Sequence, residues 1–144
     1  MLIGEYIHTL DDKNRLSLPA KFRAEMGKKL VLTPGLDGAI FMFTEKEWKV
    51  IAEKLSGSSM LATDNRSFNR FMFGGAVETA VDGAGRILVP DFLKERAGIK
   101  GKVAVVGVQN RVELWSDTNW ATYKRDVDAQ ANDLAGRLGT LGVL

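Results

Sequence analysis

The sequence states one pattern twice. Asp11-Asp12-Lys13-Asn14-Arg15-Leu16-Ser17-Leu18-Pro19 returns as Asp82-Gly83-Ala84-Gly85-Arg86-Ile87-Leu88-Val89-Pro90, an offset of 71 (86 − 15). Phe22/Leu93, Arg23/Lys94 and Gly27/Gly98 keep that offset. A one-residue insertion then shifts it to 72 for Val31/Val103, Gly35/Gly107, Gly38/Asn110, Ile40/Val112, Phe43/Trp115, Thr44/Ser116 and Trp48/Trp120. A period this long is one supersecondary unit duplicated, not a solenoid. Two such units predict a pseudo-twofold body with two equivalent Asp-x-x-x-Arg turns, which suits a twofold or repeated ligand.

Each copy spells the same order of elements. A strand (Ile3 to Leu10; Ala76 to Val81) enters the polar turn, and a second short strand follows at Leu16–Leu18 or Ile87–Val89. Pro19 and Pro90 fix φ at the first position of a two-turn helix, which Gly27 or Gly98 closes in the left-handed region. A hairpin comes next, Leu30–Thr33 with Ile40–Phe43 and Val103–Val106 with Val112–Trp115, joined through Pro34-Gly35-Leu36-Asp37-Gly38 or Gln109-Asn110, with Asp37-Gly38 and Asn110 the positions suited to positive φ. Thr44-Glu45-Lys46-Glu47 reads as a capping box, and Trp48, Ile51, Ala52 and Leu55 behind it form a core-facing stripe. Ser116 starts the second version, with Trp120, Tyr123 and Val127. Strand, helix, hairpin and helix, twice over, give an α+β class in which each copy buries its hairpin against the other. Neither half is expected to fold alone. The chain divides into a first half at 1–60, a connecting helix at 61–75, a second half at 76–128 and a tail at 129–144, helical at first and then fraying.

Composition narrows the function. The 144 residues carry no cysteine and one histidine, so thiolate metal sites and disulfides are absent, which fits a reducing cytosol. The longest apolar run, Val103 to Val108, is far short of a membrane span, and residues 1–10 lack a basic leader pattern. The net charge of +2 is uneven. Residues 10–30 hold six Lys/Arg against three acids and residues 82–102 hold five against three, so both repeats place their positive charge on the turn and the helix after it. That distribution suits either a solvated surface or an anionic partner.

Catalytic chemistry finds little to use. His8 stands alone, with Thr79 at its repeat position, and no catalytic, cofactor or metal site is expected. Gly83-Ala84-Gly85 lacks the third glycine and the Lys-Ser/Thr of a phosphate loop and reads as a turn. Asp11 and Asp82 shape their turns by accepting backbone N–H bonds, and Asn14, Gly83 and Gly85 tolerate the left-handed φ expected in such turns. Arg15 and Arg86 then stand where turn meets strand. Their planar forks suit guanine or phosphate, or else an Asp–Arg bridge closed within each turn. Lys13, Lys21, Arg23, Lys94 and Arg96 match a phosphate-contacting rim. Trp48 and Trp120 offer stacking platforms, but their helical spacing favours core packing.

These residues resemble a known family. Met1-Leu2-Ile3-Gly4-Glu5-Tyr6, the run from Leu10 to Arg23, Leu32 to Gly38, Val81 to Pro90 and Glu113-Leu114-Trp115 look like bacterial MraZ, over roughly residues 1–125. The resemblance implies a tandem duplicated swapped-hairpin β-barrel of the AbrB-like type with short flanking helices, assembled into a ring-like homo-oligomer. It also implies a transcriptional regulator, usually a repressor, binding short repeats in double-stranded DNA upstream of its own division and cell-wall gene cluster. The protein would then be cytoplasmic and nucleoid-associated, with Arg15 and Arg86 touching DNA and Lys13 supporting them. Asn14 replaces the family's usual Gly, and Ala84 stands where the first turn has Lys13, so the two turns should not contribute equally. The DNA-binding set is therefore Lys13, Asn14, Arg15, Lys21, Arg23 and Arg86. The competing reading is a ring-forming interaction protein that holds a protein partner through the same basic turns.

Overall fold

A computed structural model describes residues 1–144. The first copy contains β1 (Leu2–Thr9), β2 (Arg15–Ser17), α1 (Ala20–Met26), β3 (Lys29–Pro34), β4 (Ile40–Thr44) and α2 (Glu45–Ser56). The linking helix α3 (Thr63–Gly74) leads to β5 (Val77–Ala80), β6 (Arg86–Leu88), α4 (Asp91–Arg96), β7 (Lys102–Gln109), β8 (Val112–Ser116) and α5 (Asp117–Thr140). No helix is long and apolar enough to cross a membrane.

The strands interleave. A six-stranded antiparallel sheet runs β1-β7-β8-β4-β3-β5, and β2 pairs with β6 in a separate ribbon. Only the hairpins β3–β4 and β7–β8 pair within a copy; β1–β7, β3–β5, β4–β8 and β2–β6 all join one copy to the other. The fold is the expected α+β arrangement of duplicated, swapped units. Its pseudo-twofold axis shows in the register: Leu16 faces Ile87 across the ribbon, and Phe41 faces Glu113 across the sheet.

That register corrects one step of the repeat alignment. Leu30 pairs with Thr44 as Val103 pairs with Ser116, and Val31 pairs with Phe43 as Ala104 pairs with Trp115. The equivalent of Val103 is therefore Leu30, not Val31, and the equivalent of Gly107 is Pro34, not Gly35. Two residues are inserted before β7 and one is lost in its hairpin turn, which returns the offset to 72 by β8. A one-residue slip reverses the face of every side chain in a strand. Leu30 and Val103 both belong to the larger core, whereas Ala104 belongs to the smaller one.

Both faces of the sheet are covered. Leu30, Leu32, Ile40, Met42, Val103, Val105 and Leu114 point into a core shared with Leu16, Ile87, Phe22 and Leu93. The opposite face buries Phe41, Phe43, Ala104, Val106 and Trp115, with Trp48, Ile51, Leu55, Phe71 and Trp120 packed against it. Each large apolar side chain so buried contributes about 1.5–3 kcal/mol. Two-sided burial explains why β3 and β8 lack the alternation of a half-exposed strand.

Several local expectations hold and others shift. Gly27 and Gly98 have positive φ of 79° and 67°, but Gly27, with ψ −162°, is not the left-handed cap expected there. Pro19 and Pro90 are extended residues just before α1 and α4, one position earlier than expected. Their carbonyls still accept the first helical N–H groups. In the second hairpin the left-handed residue is Gln109 (φ 79°), not Asn110. Thr44 Oγ1 accepts from Glu47 N at 3.2 Å, the forward half of the capping box, and Ser116 caps α5 through Asn119 N. α5 continues through Ala129 to Thr140, so the tail is helical over most of its length. Trp48 and Trp120 pack into the core and are not free stacking platforms.

Candidate nucleic-acid interface

Each Asp-x-x-x-Arg turn is folded around one carboxylate. Asp11 Oδ1 accepts from the backbone N–H of Lys13 (2.9 Å) and Arg15 (2.8 Å), while Oδ2 accepts from Arg15 Nε (2.8 Å). Asp82 repeats the arrangement with Ala84 N, Arg86 N and Arg86 Nε, each at 2.9 Å. The backbone closes the loop, with Asn14 N donating to Asp11 O and Gly85 N to Asp82 O. The fourth residue turns left-handed in both, Asn14 at φ 59° and Gly85 at 79°. Asn is among the few side chains that adopt this region readily, so the departure from Gly leaves the turn intact.

These bonds favour the charged carboxylates. Both pKa values are held below the usual aspartate value, first by the N–H of Arg15 or Arg86 and then by the guanidinium bond. Acid–base catalysis at neutral pH is not what such locked carboxylates offer. The Asp–Arg bridge anticipated within each turn is present, and it uses only the Nε edge of the arginine. The terminal guanidinium nitrogens of Arg15 and Arg86 carry no hydrogen bond within the chain. The bridge therefore orients a donor pair and does not consume it.

The ribbon sets the two arginines together. Arg15 lies opposite Leu88 and Arg86 opposite Ser17, while Leu16 and Ile87 between them point inward and are fully buried. Alternation puts Arg15, Ser17, Arg86 and Leu88 on the outward face. The arginines are diagonal neighbours, with Cα atoms about 7–8 Å apart by ribbon geometry.

Each turn is also held by the other copy. Leu18 N donates to Gly85 O and Val89 N to Asn14 O, at 3.0 and 2.8 Å. Asn14 Nδ2 donates to Asp91 at 2.6 Å, and Lys94 Nζ donates to Asn14 Oδ1 at 3.2 Å. Arg23 lies over Gly85, where a Cβ would collide with its guanidinium, and its Nη1 is 3.5 Å from Ala84 O. Arg23 and Lys94 thus lie against the opposite turn. Lys13 and Lys21 are exposed, without side-chain partners. Asp91 escaped the sequence reading. The signal was present, because Asp91 replaces Ala20 and Asn14 replaces Gly85 at the 71-residue offset, and the two departures touch.

His8 Nδ1 bonds Ser17 O, a structural contact between β1 and β2. No cluster of His, Cys, Asp or Glu forms that could hold a metal ion.

Comparison with known proteins agrees with the duplication. The family model described as MraZ protein matches twice, at residues 1–71 and 72–138. The transcriptional regulator MraZ of Caldicellulosiruptor saccharolyticus is 44% identical over 143 residues, covering 99% of this chain and 100% of that protein. The transcriptional regulators MraZ of Caldanaerobacter subterraneus subsp. tengcongensis and Alkaliphilus metalliredigens are 45% and 41% identical over the same coverage.

Proposed function

Since this chain belongs to the MraZ family, whose named members are transcriptional regulators and not enzymes, we propose that it regulates transcription by binding double-stranded DNA through its paired Asp-x-x-x-Arg turns. The supporting observation is the outward presentation of two arginines from one rigid ribbon. Each is fixed at Nε by its own Asp and free at the far edge of the fork. A guanidinium presented this way matches the O6/N7 edge of guanine, and a two-stranded ribbon fits the major groove. The carboxylate supplies the rigidity, so little side-chain freedom remains to be lost on binding.

The target in this reading is a set of short repeated sites upstream of the protein's own division and cell-wall gene cluster, and the outcome is repression. One chain offers few contacts. Affinity comes from a ring-like homo-oligomer engaging several repeats at once, where each further contact is intramolecular. The protein then works in the cytoplasm, at the nucleoid. Footprinting on that upstream DNA tests the reading: protection confined to regularly spaced short repeats supports it, and uniform or absent protection contradicts it.

One observation favours a second reading. Leu88, opposite Arg15 in the ribbon, and Phe92, in α4, are 55% and 51% exposed. Apolar side chains there fit a thymine methyl or a sugar, and equally the surface of a protein partner. Assembly without DNA retention at low salt would select the partner.

A further inference from the structure

The second turn borders a cleft of about 630 Å³ lined by Arg23, Gly27 and Lys28 from the first copy and Asp82, Gly83 and Gly85 from the second. Two cations flank it. Lys28 is tethered through its carbonyl, which accepts Val81 N at 2.8 Å, while its ammonium has no partner in the chain. Arg23 makes only the long contact to Ala84 O. The N–H of Gly83 carries no hydrogen bond within the chain, and open space lies where its Cβ would be. The one acid at the cleft, Asp82, is already saturated by two N–H groups and Arg86.

The matching place beside the first turn differs in its side chains. Lys94, the counterpart of Arg23, is engaged with Asn14. Gly101, whose carbonyl accepts Leu10 N as that of Lys28 accepts Val81 N, is the counterpart of Lys28 and carries no side chain. Asp12 stands for Gly83, and Asp91 stands for Ala20. A free cation is thus replaced by a glycine, and two neutral residues by carboxylates.

We propose that the cleft beside the second turn seats one phosphodiester of bound DNA, held by Lys28, Arg23 and the Gly83 N–H, and that no equivalent seat exists beside the first. This rests on the DNA-binding reading above. Two cations and a backbone amide converging beside a base-reading turn are what a backbone phosphate requires, and such contacts fix register and orientation without reading sequence. The consequence is a direction. A fold with twofold symmetry gains one backbone grip per chain, on one side, and so lies one way round on the duplex.

The test is an anisotropy titration across a salt series, using DNA from upstream of the protein's own gene and a scrambled duplex. Wild type is compared with Lys28→Gln, Lys28→Arg and Gly83→Asp, with Lys54→Gln on the opposite face as control. Gly83 has no positive φ, so an aspartate there meets no backbone strain. Lys28→Gln should weaken both duplexes by the same factor and reduce the slope of log affinity against log salt by about 1. Gly83→Asp should act alike, and Lys28→Arg should restore binding. Unchanged slopes in Lys28→Gln and Gly83→Asp, with wild type bound, would overturn the phosphate seat and leave the DNA reading standing. Folded wild type that retains neither duplex at low salt would overturn the DNA reading, and the seat with it.

Discussion

Leu16 and Ile87 face each other across the β2–β6 ribbon, fully buried and 71 residues apart (87 − 16). The pseudo-twofold axis passes between them, and the arginines one residue earlier in each copy emerge on the opposite, outward side. The core contact and the proposed reading surface are two faces of one short ribbon. Truncation at this position should therefore disturb both. Leu16→Ala should cost about 2–5 kcal/mol, the range for a large side chain removed from a packed core. Denaturant unfolding of the variant measures it, and a loss below 1 kcal/mol would mean the ribbon is not anchored as described.

The swapped pairing predicts that half the chain is not a domain. Four of the six strand pairings join one copy to the other, so residues 1–74 alone would leave β1, the outer edges of β3 and β4, and β2 unpaired. That fragment should lack a cooperative thermal transition by circular dichroism. Mixing it with residues 75–144 should restore one.

The turns carry a pH signature. Asp11 and Asp82 have pKa values lowered in the folded protein, so their contribution to stability is complete above the unfolded-state value of about 4. It is lost only as pH falls through the lower native values. Carbon-detected NMR titration should show both carboxyls ionising below the ordinary aspartate value, and Arg15→Ala should move Asp11 back towards it. Lys124 shows the opposite sign. Its bond to Glu5 raises its pKa, so that tether of α5 to β1 is full below the ordinary lysine value and is lost as pH rises through the raised one.

The Asn14 clamp predicts a coupling. Asp91→Ala should loosen the first turn, and it should do so only while Asn14 is there to be held. In an Asn14→Gly background the same change should be neutral. Backbone amide exchange at Lys13 and Arg15 reads the difference, and equal effects in both backgrounds would remove the clamp from the account.

What the sequence made legible follows from how far each interaction reaches along the chain. Asp11 and Arg15 are four residues apart, so the turn, its shaping acid and its arginine are all visible locally. The left-handed residues Asn14 and Gly85 are visible for the same reason. The register of β3 against β7 is not. Lys29–Pro34 and Lys102–Gln109 are buried on both faces, so neither carries the alternation that would separate Leu30 from Val31 as the partner of Val103. The bracing of each turn by the opposite helix joins residues 77 and 80 apart, as in Asn14–Asp91 and Asn14–Lys94. It leaves a trace only where the two copies differ. Gly136 and Gly139 read as a fraying tail, yet α5 holds its helical backbone past both.

The central claim is that Arg15 and Arg86 read DNA from their Asp-fixed turns, and a gel-shift titration tests it most directly. Wild type and the Arg15→Ala/Arg86→Ala variant would be titrated side by side, at near-physiological salt, against DNA from upstream of the protein's own gene. Each base-contacting arginine should be worth about 1–3 kcal/mol, multiplied over the assembled subunits. Wild type should give discrete bands resistant to competitor DNA, and the variant should give none. A folded, assembled variant that shifts the same DNA at the same concentration would contradict the claim.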